Sequence, residues 1–181
     1  SDRVEMRLMS RAYPVFNADQ VDGYEAEKPE PLPLDARLDN VREFVRNTGA
    51  RIIEGGNSAH YSLDSDHIRM PFLNAFAAQG NATAEENYYA TLLHELTHWT
   101  GADQRLAREN FRNRELEHYA FEELVAELGS AFLCAELGIA LEPRTDHAQY
   151  LSHWLKALKD DKRAIFRAAN LASKAAQYLK N

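Results

Sequence analysis

Two histidines one helical turn apart constrain this sequence more than any other feature. An H-E-x-x-H motif begins at His94 and ends at His98, inside a stretch whose apolar residues recur at helical spacing. The stretch begins at Thr83, which with Glu86 predicts a capping box, and it ends at Gly101. On one half-buried helix the two imidazoles lie on the same face, so both can reach a single metal ion.

The glutamate inside the motif, Glu95, is of the residue type that hydrolysis needs. Its carboxylate can take a proton from a water that attacks a carbonyl group and then pass that proton to the leaving amine. A catalytic zinc site uses three protein ligands and keeps one position open. The sequence therefore has to provide a third ligand besides the two histidines.

Two parts of the sequence could provide this third ligand. The first is position 104, where a histidine could follow the motif, but the residue there is Gln104. The second is a glutamate-rich stretch on a helix predicted from about Arg114 to Leu137. Glu123 and Glu127 lie one turn apart on that helix. We expect Glu123 to bind the metal and Glu127 to accept a hydrogen bond from a liganding histidine. Glu122 and Glu127 remain alternatives for the ligand itself.

Hydrolysis also uses a donor for the oxygen that becomes negative in the transition state. Tyr119 lies one turn before Glu123, and His147 falls on a further predicted helix from about Asp146 to Leu158. These two are the candidate oxyanion donors. Weaker candidates are His118, Tyr88, Tyr150 and His153. Ordinary packing or a surface position is the competing interpretation for all of them.

The rest of the chain predicts an arm followed by a mainly helical α+β domain. Residues 1–33 include an acidic, proline-containing stretch that is typical of a linker, and residues 34–181 form the predicted domain. Further helices are expected over Leu34–Asn47 and from Lys162 to Leu179. Three short apolar segments predict a small antiparallel sheet: Arg51–Glu54, Ala59–Leu63 and His67–Met70. The last is expected either as an edge strand, which could pair with a peptide substrate, or as an interior strand.

Composition narrows the class of protein. The chain has 181 residues, and 21 Lys and Arg face 28 Asp and Glu, so a net charge of −7 excludes a basic footprint over the whole chain. The one cysteine, Cys134, cannot form an internal disulfide and is expected to be a buried small hydrophobic residue. No long apolar stretch or signal sequence is present, which predicts a cytoplasmic protein without a membrane partner.

Several segments together resemble the zincin-like metallopeptidase domain of ArdC-type antirestriction proteins and related polyvalent proteins of plasmids and phages. The segments are Tyr88–Gly101, Arg105-Leu106, Glu122–Gly129, Tyr13–Asn17 with Asp22-Gly23, and Asp66 with Met70-Pro71. The resemblance implies a zinc-dependent peptidase fold that usually follows a domain binding single-stranded DNA, in proteins that protect incoming DNA from restriction. Residues 1–33 would then be the linker from such a DNA-binding domain, which is expected to be missing from this sequence. DNA would be bound only through that domain.

Two functions of different classes fit these observations. In the first, His94, His98 and Glu123 hold Zn²⁺, and the domain cleaves a protein or peptide substrate. In the second, zinc only stabilises a binding module, which protects DNA by contacting restriction enzymes or DNA complexes. The net charge of −7 would suit a basic partner surface. A third alternative is that no metal binds and the helices simply pack.

Overall fold

The computed structural model describes residues 13–14, 20–23, 30, 32–109, 111–113, 115–140 and 163–181. The chain divides into two compact units, Ser1–Pro31 and Leu32–Asn181. Most of the predicted arm lies outside the described residues, as does the whole helix predicted from Asp146 to Leu158.

Four α-helices and three short strands make up the described part of the second unit, which confirms the predicted α+β class. The helices are α1 (Leu34–Asn47), α2 (Ala84–Trp99), α3 (Leu116–Leu137) and α4 (Ala164–Leu179). The strands are β1 (Ile52–Glu54), β2 (His60–Ser62) and β3 (His67–Met70), and a short 3₁₀ turn follows over Leu73–Ala75. None of the helices among the described residues combines the length and the apolar character needed to cross a membrane.

The sheet differs from the prediction in two respects. Its strand order is β1-β3-β2, and β1 pairs with β3 in parallel, so the sheet is mixed and the predicted all-antiparallel pairing is wrong. Strand β3 is the interior strand, which confirms the second alternative for His67–Met70 and excludes the first. The reason is burial: Ile68 and Met70 are both 0% exposed and pack against the core, so β3 takes the central place.

Helix α2 begins and ends close to the predicted residues. Thr83 accepts a hydrogen bond from the Glu86 backbone N–H, and the Glu86 side chain accepts one from the Thr83 backbone N–H, so the predicted capping box is present. Glu86 is 3% exposed and also accepts from Ala140 N and from Arg37. This carboxylate thereby ties the start of α2 to α1 and to the end of α3.

Helix α3 packs against both α2 and α4. Against α4 the contact is made by Leu124, Val125, Ala168 and Ala172, and the small alanines allow the two helices to approach closely. Cys134 is 1% exposed, as predicted for a small buried residue. Helix α3 ends at Gly138, whose positive φ of 70° forms a left-handed cap.

The contact between α2 and α3 depends on a glycine. A Cβ added at Gly129 would lie 2.5 Å from Thr97 Cγ2 and 2.6 Å from Thr97 Oγ1. Thr97 is 0% exposed, and its hydroxyl donates to Leu93 O, so it cannot move without losing that hydrogen bond. The two helices can therefore meet at this distance only because residue 129 has no side chain.

We expect Gly129→Ala to destabilise the fold although alanine favours helix. The gain in helix propensity is about 1 kcal/mol, whereas forcing a methyl group into a packed interior costs about 1–3 kcal/mol. Urea denaturation should show a net loss of up to about 2 kcal/mol. Thr97→Ala removes the clashing Cγ2 and Oγ1 atoms. In that background, adding Gly129→Ala should make the protein more stable than the Thr97→Ala single variant. A Gly129→Ala protein more stable than the wild type would contradict this account of the helix contact.

Candidate metal centre

The two motif histidines meet on the buried side of α2. Because they are four residues apart, His94 and His98 lie one turn above each other, with ring centroids 4.8 Å apart and ring planes at 79°. His94 is 4% exposed, and the His98 side chain is 13% exposed. The two Nε2 atoms lie 3.1 Å apart, so both nitrogens point at one location.

Helix α3 brings one carboxylate to the same location. Glu123 Oε2 lies 3.5 Å from His94 Nε2, and Glu123 Oε1 lies 3.5 Å from His98 Nε2. Among the described residues, these three side chains form the group that could hold a metal ion, and each offers one donor atom. Glu123 is 7% exposed, and a carboxylate buried to this degree needs a charged or hydrogen-bonding partner.

The donor atoms lie close to the spacing of a first coordination sphere. A zinc ion about 2.0–2.1 Å from nitrogen and oxygen donors in a tetrahedron places those donors about 3.3–3.4 Å apart. The two Nε2 atoms are 3.1 Å apart, and each lies 3.5 Å from a different oxygen of Glu123. With one donor atom from each residue, the three atoms lie within 4.8 Å of one another. Two imidazoles and one carboxylate are also a donor set that suits zinc. The residues therefore fit a divalent metal ion with one position left for another group.

Each histidine presents its other ring nitrogen to a second carboxylate. His94 Nδ1 lies 3.2 Å from Glu127 Oε1, and His98 Nδ1 lies 3.1 Å from Glu122 Oε1. An Nδ1–H that donates to a carboxylate leaves Nε2 with its lone pair, which is the tautomer that can bind metal. This is the place that the sequence predicts for Glu127, whereas Glu122 is predicted only as an alternative ligand. In the structure Glu122 Oε1 faces the Nδ1 atom of His98, while Glu123 faces the Nε2 atoms.

The charges of this cluster favour a cation at its centre. Burial lowers the pKa of His98, but hydrogen bonds with Glu122 and Glu123 outweigh burial and raise it to about 10. Burial also lowers the pKa of His94, but the carboxylates of Glu123 and Glu127 outweigh burial and raise this pKa. For Glu123, burial raises the pKa, while the two histidines lower it well below its usual range. Positive charge between these groups is therefore stabilised from several sides.

Glu95 follows His94 on α2 and is 5% exposed. Tyr119 is half-buried near the start of α3, one turn before Glu123. His118 lies at the surface, where it faces Glu115 at 3.8 Å, so it does not join the cluster. The other candidate oxyanion donor, His147, lies outside the described residues.

Sequence reasoning missed Arg108 in the loop between α2 and α3, and it named Arg105 only as part of the family resemblance. Arg108 is 6% exposed and pairs with Glu122, with Nη2 and Oε1 2.5 Å apart. Arg105 stacks on the Trp99 ring at 4.0 Å and pairs with Asp66 at 2.6 Å. A single arginine in a polar loop has no spacing or pattern that marks it, so no signal in the sequence could have selected Arg108.

The Arg105 contacts anchor this loop to the sheet. Arg105 also donates to Tyr61 Oη at 2.8 Å, and its hydrogen bonds lower the pKa of Asp66 to about 2. Burial raises the pKa of the Tyr61 hydroxyl to about 12. The turn between β2 and β3 is thus fixed against the end of the motif helix.

Comparison with known proteins decides the family. Residues 39–171 match the family model of the zincin-like metallopeptidases. The chain belongs to this family. Two crystal structures of the antirestriction protein ArdC from plasmid R388 have the same zincin-like fold, with 43% sequence identity and 91% of this chain covered. The Mn(II)-bound structure has a TM-score of 0.73 and the metal-free structure 0.72. The resemblance to ArdC-type proteins is thereby confirmed.

Sequence relatives of this zincin-like chain include longer proteins. The uncharacterized protein y4eC of Sinorhizobium fredii is 42% identical over 173 residues, which are 96% of this chain and 54% of y4eC. A DNA primase TraC of Escherichia coli is 37% identical over 166 residues, 91% of this chain and 11% of the primase. The chain therefore spans about half of y4eC, 59% of the Mn(II)-bound ArdC chain and a small part of TraC.

Proposed function

We propose that this chain is a zinc-dependent hydrolase domain of the peptidase type within an antirestriction protein. The observation that carries the proposal is the convergence of His94, His98 and Glu123 donor atoms within 4.8 Å of one another, next to the motif glutamate Glu95. Family membership supports the hydrolase class, because zincin-like metallopeptidases are the family that matches. A packed helix without function would not require three donors, two of them buried, to point at one location.

Zinc is the proposed metal. The Mn(II)-bound crystal structure of ArdC supports a divalent ion in this fold. At a given set of nitrogen and oxygen donors zinc binds more tightly than manganese, and imidazole is a ligand that zinc favours. His94, His98 and Glu123 would hold the ion. When bound, zinc would activate a water molecule and polarise the carbonyl group of the scissile bond.

Glu95 would move the proton. Its carboxylate takes the proton of the attacking water while a C–O bond forms at the carbonyl carbon. The same carboxylic acid then gives that proton to the amide nitrogen as the C–N bond breaks, so a peptide bond and one water become an acid and an amine. Burial at 5% exposure keeps bulk water from competing for this proton.

Two further carboxylates would orient the ligands. Glu127 and Glu122 lie 3.2 and 3.1 Å from the Nδ1 atoms of His94 and His98, and they would accept the Nδ1–H groups and so fix the tautomer and the direction of each ring. Tyr119 stays the proposed oxyanion donor on α3, and His147 is the other candidate.

The cellular role follows from the relatives. ArdC is an antirestriction protein, and TraC is a DNA primase. We infer that this zincin-like chain acts in the cytoplasm on a protein or peptide substrate, with host restriction enzymes as candidate partners. DNA would be bound by a domain preceding residues 1–33, as in the linker arrangement that the sequence resemblance implies. The net charge of −7 supports the proposal that DNA is bound by that other domain, because DNA is bound mainly through Lys and Arg contacts to its phosphates.

The first experiment is a metal analysis of protein purified without added metal, with His94→Ala as the control. We expect about one zinc per chain in the wild type and none in the variant. The wild type should also cleave denatured proteins, with new amino termini detected by mass spectrometry. No zinc in the wild type, even after zinc is added, would refute the hydrolase. Bound zinc without any cleavage would instead favour the second function, a binding module that zinc only stabilises.

A further inference from the structure

A buried arginine lies in the loop that joins α2 and α3. Arg108 has a side chain only 2% exposed, although the loop around it is polar. The loop folds back on the end of α2, since Arg108 N donates to Gly101 O and Leu106 N donates to Thr100 O, each at 3.0 Å. Ala107 adopts a positive φ of 44°, which is unusual for a residue with a Cβ. This backbone turns the next side chain inward.

The guanidinium of Arg108 joins the two helices that carry the metal donors. On the α3 side, Nε donates to Glu122 Oε2 at 3.0 Å and Nη2 donates to Glu122 Oε1 at 2.5 Å, a two-pronged contact. On the α2 side, Nη1 donates to Thr100 Oγ1 at 2.6 Å and Nη2 donates to Thr97 O at 2.8 Å. One side chain thus binds the last turn of α2 and a specific carboxylate of α3.

The same carboxylate faces a candidate ligand. Glu122 Oε1, which accepts from Arg108, lies 3.1 Å from His98 Nδ1. A glutamate side chain is flexible, so its place behind the imidazole has to be held by something else. Arg108 is rigid at its planar end and contacts both oxygens, which leaves Glu122 a single orientation.

We propose that Arg108 is a positioning residue for the metal centre, holding Glu122 where it accepts the Nδ1–H of His98. This inference rests on the proposed function, because it concerns the same metal site. Arg108 also donates to the backbone carbonyl of His98 at 3.5 Å, whereas its link to the imidazole of that residue runs through Glu122. Its effect on zinc binding passes through Glu122, and loss of such an outer partner typically weakens metal binding by about 10–100-fold.

The test is a double-mutant cycle on zinc affinity. Arg108→Lys keeps the positive charge but cannot form the two-pronged contact, so the charge that residue 108 presents near the ion is unchanged. We expect this variant to bind zinc about tenfold more weakly in a chelator competition. In the Glu122→Ala background the same substitution should have no further effect. Arg112→Lys is the matched control, because Arg112 lies in the same loop, pairs with Asp103 and is exposed.

Unchanged zinc affinity in Arg108→Lys would overturn the inference, and so would an effect that persists in full after Glu122→Ala. If Arg108→Lys does not fold, nuclear magnetic resonance of the Arg108 Nε–H in the wild type gives a second readout. A slowly exchanging signal that is lost in Glu122→Ala supports the inference, and an unaffected signal contradicts it. Wild-type protein that binds no zinc refutes the proposed function and the inference together, whereas equal binding by wild type and Arg108→Lys refutes the inference alone.

Discussion

Glu95→Gln is expected to abolish peptide-bond cleavage while zinc remains bound. Glutamine has nearly the shape of glutamate, so the packing of this residue, 5% exposed, is kept. Its amide cannot take a proton from water and cannot return one to the leaving amine. Loss of general acid–base catalysis costs about 10²–10⁴-fold in rate. Cleavage of denatured proteins should be followed by mass spectrometry, and zinc should be measured in the same sample.

A variant on the same helix provides the control for this experiment. Glu85→Gln makes an identical change of charge in the first turn of α2, where Glu85 is half-buried and pairs with Arg42. Its cleavage rate should equal that of the wild type. Undiminished cleavage by the Glu95→Gln protein would exclude Glu95 as the proton carrier. Persisting protection of incoming DNA against restriction, with cleavage lost, would show that hydrolysis is not how the protein protects DNA.

Replacing the three glutamates of α3 one at a time should rank them by zinc affinity. Glu123→Ala removes a carboxylate whose two oxygens each lie 3.5 Å from one of the two Nε2 atoms, together with its negative charge. Glu122→Ala and Glu127→Ala remove only a partner of a histidine Nδ1, and each should weaken zinc binding by about 10–100-fold. The loss at Glu123 should exceed about 100-fold, the upper end of that range. Chelator competition measures all three variants on one scale.

A distant glutamate on the same helix gives the reference value. Glu117 lies exposed in the first turn of α3, so Glu117→Ala should leave zinc affinity unchanged. Circular dichroism of each variant separates loss of metal from loss of fold. If Glu122→Ala or Glu127→Ala weakened zinc binding more than Glu123→Ala does, the assignment of the third ligand would be wrong.

Local sequence patterns predicted much of the fold. Apolar spacing and caps predicted α1 at its observed bounds and placed α2 and the described part of the later helices within about two residues, because these signals act between residues one turn apart. The pairing of strands was not predictable in the same way. Strand β1 pairs in parallel with β3, and not with the neighbouring β2, because burial of Ile68 and Met70 puts β3 at the centre of the sheet.

The sequence by itself determined the half of the site that lies on one helix. His94, Glu95 and His98 are fixed relative to each other by helical periodicity, and that geometry needs no tertiary contact. The choice among the glutamates of α3 could not be made from periodicity alone, because several carboxylates of that helix were plausible. Packing of α3 on α2 at Gly129 sets which of these carboxylates faces the two Nε2 atoms, since the distance and rotation between two helices are set by the side chains at their contact.

Only the tertiary structure assigned Arg108 and the place of Glu122. A loop folds Arg108 back across the end of α2, and its partner lies 14 residues away on another helix. Such contacts depend on the path of the backbone through positive φ at Ala107 and on burial between two helices, which no local pattern encodes. The sequence therefore determined the chemistry of the centre, while the fold determined which side chains hold that chemistry in place.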